Sequence, residues 1–349
     1  MLIDAPASAL NNAGQEAGAR TDNAVAVKRI TTRAGAYPYV SAQAVRYWLR
    51  THLERAVSEW QAAPVFREAK IAYTDANPLR WWDDDLFGYM RAPSKRPGAR
   101  GDEVEANQTP VARDITRISP LRMGTLVSIG PVKVVDDFGT MARHDGDPVP
   151  HEHQFYRATL QGLLSLDLST AGTFFNGGRV GYRNLDELRV KMAKEQSLDE
   201  VTVHGQPAFR LPAEERARRV STLVRAIGEM EGGAKLALHY TDVTPGLIVC
   251  AVVKAGNNPF ARIIHPGARG EPEIVLDALK EALRVYRDQI LSDVFVGWAK
   301  GYMDGERAKV ESLSPTDLSA IELRWGHPRE VMHQLADELT KEANQPWYE

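Results

Sequence analysis

A chain of 349 residues with 43% hydrophobic content can bury a substantial core, as one large domain or as a core domain with sizeable insertions. Its net charge of -3 and pI near 6.3 exclude a uniformly basic binder of polyanions, so any polyanion site has to be local. A single cysteine, Cys250, excludes an internal disulfide and a cysteine-rich zinc site, and its place in the apolar run 247–253 predicts a core residue.

That run is too short to cross a bilayer, and residues near Met1 lack a basic stretch followed by an apolar one. A cytoplasmic protein with no membrane partner is expected. The charge is uneven: residues 28–122 hold 16 Lys and Arg against 11 acids, whereas residues 123–349 hold 26 against 32. The first third is therefore the place to look for a cationic face.

In chain order, residues 1–5 predict a short strand and residues 11–18 a turn-rich loop. Val25, Val27 and Ile30 predict a further strand, so a hairpin opens the protein. Pro38 bars helix ahead of it, Ser41 is a plausible N-cap, and helical periodicity then runs to Val57 or Trp60. At about 100° per residue Val45, Trp48, Leu49, Leu53 and Ala56 form one stripe, while Gln43, Arg46 and Arg50 fall on the other side.

Residues 72–118 read as an insertion. Trp81 and Trp82 are expected to anchor a small core. Asp83, Asp84 and Asp85 lack metal-ligand spacing and are expected to form an acidic interaction surface. The Pro, Gly and basic stretch 91–101 is expected to be a mobile loop. Strand patterns follow at 122–135 and 155–168, separated by residues 136–153 as an extended loop or a hairpin projecting from the sheet. His151 and His153 read as exposed loop histidines, since no HExxH or paired Cys accompanies them. The second half predicts helices at 212–229, 271–292 and 316–339, and strands at 235–240, 247–253 and 294–299. The alternation suits an α+β sandwich, with no repeat, Walker-type loop, nucleophile elbow or dinucleotide fingerprint.

On pattern alone, the polar side of the first helix is either a solvated exterior or a phosphate track. Its turns rise by about 5.4 Å, near the spacing of phosphates on an extended single strand. Lys28 and Arg29 on the preceding strand extend such a track.

Four stretches together carry a resemblance: ALNNAG at 9–14, YPYVSAQAVRYWLR at 37–50, DLFGYM at 85–90 and SPLR at 119–122. They resemble the DevR family of CRISPR-associated proteins, the backbone subunit of type I-B Cascade, within the repeat-associated mysterious protein superfamily. The likeness continues through residues 155–168 and 296–298.

The resemblance implies a ferredoxin-like, RRM-like palm from residues 1–71 and 119–349, a helical finger insertion at 72–118 and a thumb-like β-hairpin at about 134–156. Several copies would line up along one CRISPR RNA and present it for pairing with target DNA, in contact with one another and with the large, five-type and six-type Cascade subunits. Ser41, Gln43, Arg46 and Arg50 would hold guide phosphates, with Asn11, Asn12, Arg20, Lys28 and Arg122 as further RNA-binding candidates. Phe138, Met141 and Phe155 are the candidate base-displacing residues of the thumb, Met141 first. Such a scaffold is not an enzyme and needs no cofactor or metal. The alternative is a metal-dependent ribonuclease acting through Asp136, Asp137, Asp145, Asp147, His151 or His153. The superfamily's glycine-rich loop is represented at most by Gly297, Gly301 and Gly305, which are equally compatible with ordinary turns.

Overall fold

The structure, a computed structural model, describes residues 1–15, 24–68, 70–93, 108–143, 145–178, 183–254 and 256–349. Among them are seven α-helices, one 3-10 helix and a large mixed sheet, an α+β protein. No described helix is long and apolar enough to cross a membrane. The chain divides into two compact units. One comprises Met1–His52, Met123–Leu164 and Ala226–His333; the other comprises Leu53–Arg122, Ser165–Arg225 and Gln334–Glu349. Residues 72–118 lie within the second.

The first unit carries a sheet of eleven described strands. Its centre is the opening strand Leu2–Ser8, which runs antiparallel to Leu247–Cys250 on one side and to the long strand Val149–Gln161 on the other. The long strand is followed by Leu126–Ser128, again antiparallel. Across the sheet, Leu247–Cys250, Leu2–Ser8, Val149–Gln161 and Leu126–Ser128 are the fourth, first, third and second of these four strands in chain order. Helix Ala42–Ala56 falls between the first and second of them in sequence, and helix Ala213–Ile227 between the third and fourth.

Period-2 patterning explains which face is packed. Along the long strand Gln154, Tyr156, Ala158 and Leu160 are buried, while Phe155, Arg157, Thr159 and Gln161 alternate with them at higher exposure. Opposite them on the same face lie Ile3 and Ala5, both fully buried. Beyond the centre, strand Val294–Trp298 is buried at every position, and Leu247, Val294, Val296 and Trp298 pack with Leu279 and Leu283 of helix Leu276–Val285. Each such aliphatic side chain contributes about 1.5–3 kcal/mol through burial.

The second unit has its own core of Leu79, Phe174, Leu185, Ala193, Phe209 and Leu211. Trp81 and Trp82 are buried as expected, and Trp82 meets Trp60 edge-on at 5.5 Å. The acidic run is a correction: Asp83, Asp84 and Asp85 form no surface but are almost fully buried in helix Trp82–Phe87. Each has an internal donor. The Trp60 indole donates to Asp83 at 2.6 Å, the Asn77 amide to Asp84 at 2.8 Å, and the guanidiniums of Arg117 and Arg219 to the two oxygens of Asp85 at 2.5 and 2.9 Å. Burial of carboxylates is tolerable only with such partners.

Three further expectations need correcting. Residues 235–240 are a turn, not a strand: Lys235 has φ 52°, and its carbonyl accepts from the amides of Leu238 and His239 at 2.9 Å each. The helix expected at 316–339 is interrupted, because Ser319 and Ala320 have positive φ; a strand Leu323–Gly326 follows, and helix begins at Pro328, where a missing N–H costs nothing. The helix expected at 271–292 shrinks to Leu276–Val285 behind a short strand Pro272–Ile274. Residues 94–107, which include most of the stretch expected to be a mobile loop, lie outside the described residues.

Candidate nucleic-acid interface

The helix Ala42–Ala56 is set by its first residues. Ser41 caps it, its hydroxyl accepting from the Ala44 amide at 3.4 Å and its carbonyl from Val45 at 3.2 Å. The Ser41 amide in turn donates to the side-chain oxygen of Asn11 at 3.0 Å. The Asn11 carbonyl accepts from the Lys28 amide at 2.8 Å, and the Lys28 carbonyl from Tyr39 at 3.0 Å. Asn11, Lys28 and Ser41, distant in sequence, are thus joined by a short hydrogen-bonded chain around the helix start. The Oδ1 of neighbouring Asn12 is buried and makes no hydrogen bond.

Val45, Trp48, Leu49 and Leu53 are buried as their periodicity requires. Ala56, the last residue, is exposed, and buried His52 takes its place in the stripe. The close approach of Trp48 depends on Gly232, where a Cβ would lie 2.3 Å from the indole Cγ. This packing turns Gln43, Arg46 and Arg50 to the other side, with Gln43 exposed and both arginines half-buried.

Burial and the nearby Arg50 guanidinium push Arg46 below its ordinary value, so two like charges are held together one turn apart. The first turn of the helix contains no acid. The unneutralised helix N-terminus and the two guanidiniums therefore favour an anion on one surface. Tyr47, exposed at 66%, lies within the same stripe as Gln43, Arg46 and Arg50 and adds a ring on which a base can stack. Sequence reading passed over it because an aromatic residue in an amphipathic helix is ordinarily core.

Arg122 belongs to the second unit, where it is exposed and lies 3.6 Å from Asp167. Arg20 lies outside the described residues.

Residues 136–153 form a hairpin. Strand Val135–Met141 pairs antiparallel with the first half of Val149–Gln161, from Val135 opposite Phe155 to Met141 opposite Val149. Its base is tied down by Gln154, whose side-chain oxygen accepts from the Val27 amide at 3.2 Å and from Arg29 at 2.7 Å, while its nitrogen donates to Asp136 at 2.9 Å. Phe138 and Met141 are exposed, at 60% and 54%, on opposite faces of the hairpin. Phe155 is half-buried at the base, 5.3 Å from the ring of His239.

His151 and His153 are not loop residues. Both lie on the long strand, His153 is buried, and its Nε2 is 3.2 Å from an Asp137 oxygen. Gly139 makes room for His151, since a Cβ there would sit 2.7 Å from the imidazole Nε2. Gly297 lies inside strand Val294–Trp298, and not in a loop. Cys250 has its sulfur near the Phe295 carbonyl and Met332, and burial pushes its thiol up to about 12.

No family model and no curated protein matches the sequence. Solved structures do. A chain described as "CRISPR RNA-guided surveillance complex, pre-nicking" matches with a TM-score of 0.54 at 10% identity, over 97% of this chain and 98% of that one. Another, described as "CRISPR RNA-guided surveillance complex", matches with a TM-score of 0.47 at 11% identity, over 97% and 99%. At such identity the first likeness is one of fold.

Proposed function

We propose that this protein is a CRISPR RNA-binding backbone subunit of a Cascade-type effector complex, of the DevR, type I-B kind, polymerising along the guide and holding it for pairing with target DNA. The observation that carries the reading is a full-length fold likeness to a chain of a CRISPR RNA-guided complex, in a protein whose first helix carries Gln43, Arg46 and Arg50 on one side and is capped by Ser41. The order of the four central strands, all antiparallel to their neighbours, supports a ferredoxin-like palm. The hairpin Val135–Gln161 supports a thumb, with exposed Met141 and Phe138 as base-displacing residues. Residues 72–118 are the proposed finger.

On this reading the phosphate face grips the backbone without reading bases, and the complex takes its specificity from the guide. No residue of the chain is assigned a catalytic role. The competing ribonuclease reading is tested with labelled single-stranded RNA, incubated with the protein with and without a chelator. The scaffold reading expects protection of the RNA in both; chelator-sensitive cutting that disappears in Asp136→Ala, Asp137→Ala or His153→Ala would overturn it.

A further inference from the structure

At the foot of the hairpin, residues that the helix-face reading does not use come together. The rings of His151 and His153 stack at 6.1 Å, His153 meets His239 edge-on at 5.0 Å, and His239 lies 5.3 Å from Phe155. Lys235 and His239 stand at the two ends of one tight turn, where Lys235 adopts φ 52°, a left-handed conformation that non-glycine residues rarely take. The half-buried Lys235 makes no ion pair with any described residue, and the buried Nε2 of His239 makes no hydrogen bond. An unpaired ammonium and an orphaned imidazole nitrogen side by side carry a desolvation cost that an anionic ligand removes. Around them, Leu238 and Tyr240 are exposed at 66% and 79%. Aromatic and apolar surface beside a cationic spot suits a nucleotide better than a bare ion.

We infer that the foot of the hairpin is a second binding site, for a phosphodiester of single-stranded nucleic acid, in which Lys235 and His239 hold the phosphate and His239 takes up a proton on binding. For its ligand this rests on the nucleic-acid reading above. The charged and titratable groups facing His239 from its described surroundings are Asp137 of the first hairpin strand, His151 and His153 of the second, and Lys235 of its own turn; Asp136 and Glu152 lie on the opposite face of the hairpin. Burial, then Lys235, pushes both His153 and His239 below the ordinary imidazole value, so in the free protein they are neutral at pH 7. A phosphate reverses the sign of the local potential and favours the imidazolium, so binding strengthens as the pH falls. Asp137, the one carboxylate in this set, competes with the ligand.

The test is binding of a short single-stranded RNA, and of DNA of the same sequence, by fluorescence anisotropy at about pH 6 and about pH 8. Wild type is expected to bind roughly tenfold more tightly at the lower pH. His239→Gln brings that ratio close to one, Lys235→Gln weakens binding at both pH values, and Asp137→Asn tightens it at the higher pH, a gain that misfolding cannot produce. Arg46→Ala with Arg50→Ala weakens binding at both and keeps the ratio. A ratio confined to RNA assigns the site to the guide, and one shared with DNA admits the target strand; either supports the inference. Binding without a pH ratio, or a ratio that survives His239→Gln, overturns it and leaves the nucleic-acid reading standing. If neither oligonucleotide binds, that reading fails, and inorganic phosphate then decides the anion site. A rise in the pH at which the His239 ring protons titrate by NMR supports it, and no change overturns it.

Discussion

Arg46 and Arg50 are the side chains on which the proposed phosphate face depends. Held one turn apart and half-buried, they put two like charges on one side of the helix, an arrangement that a bound phosphate would favour. Changing both to Ala is expected to weaken RNA binding by on the order of tenfold or more per arginine. It should also lower the slope of log affinity against log salt by about 1.4, equally for all guide sequences. A salt titration by filter binding checks both. Ser41→Ala removes the helix cap and is expected to cost about 1 kcal/mol of stability, read from urea denaturation. In the second unit, Asp84 gives a pH signature. Burial raises its carboxyl from the ordinary 3.8 to about 7. Between those values the folded protein keeps a proton that the unfolded chain has released, so stability falls as the pH rises through that window and levels off above it. Asp84→Asn keeps an acceptor for the Asn77 amide and removes the charge. Its urea midpoint is therefore expected to exceed that of wild type at about pH 8, with the difference closing towards about pH 4.

Among the elements, the first helix was the most legible from sequence, because its apolar stripe, cap and proline boundary all agree. The hairpin at 136–153 was legible only as a segment standing apart, since its alternation is masked by Asp, Gly and His. The turn at 235–240 was misread because Leu236 and Leu238 alternate like a strand while both are exposed. The left-handed backbone at Lys235 leaves no trace in composition. The acidic run 83–85 was misread for another reason. Its partners Arg117 and Arg219 lie 32 and 134 residues from Asp85, and burial of such a network cannot be seen in a local window. Asp85→Ala would take the carboxylate from both guanidiniums, which are only 4% and 3% exposed, leaving Arg117 with neutral acceptors alone and Arg219 with Glu215. It is expected to destabilise the protein by about 3–5 kcal/mol, read as a fall in urea midpoint, with the Arg46 and Arg50 contribution to RNA binding as a separate readout.

At the scale of the whole molecule, the proposed polyanion partner is compatible with a net acidic chain because residues 28–122 hold 16 Lys and Arg against 11 acids. The residue types of the proposed phosphate face were legible in the sequence, yet not that Asn11, Lys28 and Ser41 are hydrogen-bonded around one helix start, nor that Tyr47 stands exposed on the side of Gln43, Arg46 and Arg50. Those relations depend on strands far apart in the chain. A likeness at 10% identity is one of fold and supplies no residue role, so the decisive observation has to be the ligand itself. Purification of the protein co-expressed with its neighbouring genes and a CRISPR array, followed by sequencing of the RNA that stays bound, tests that directly. A short RNA of uniform length with a fixed repeat-derived end is the expected result, lost when Arg46 and Arg50 are both changed to Ala. Purification free of RNA, or with a random population of cellular RNA indifferent to that double change, would contradict it.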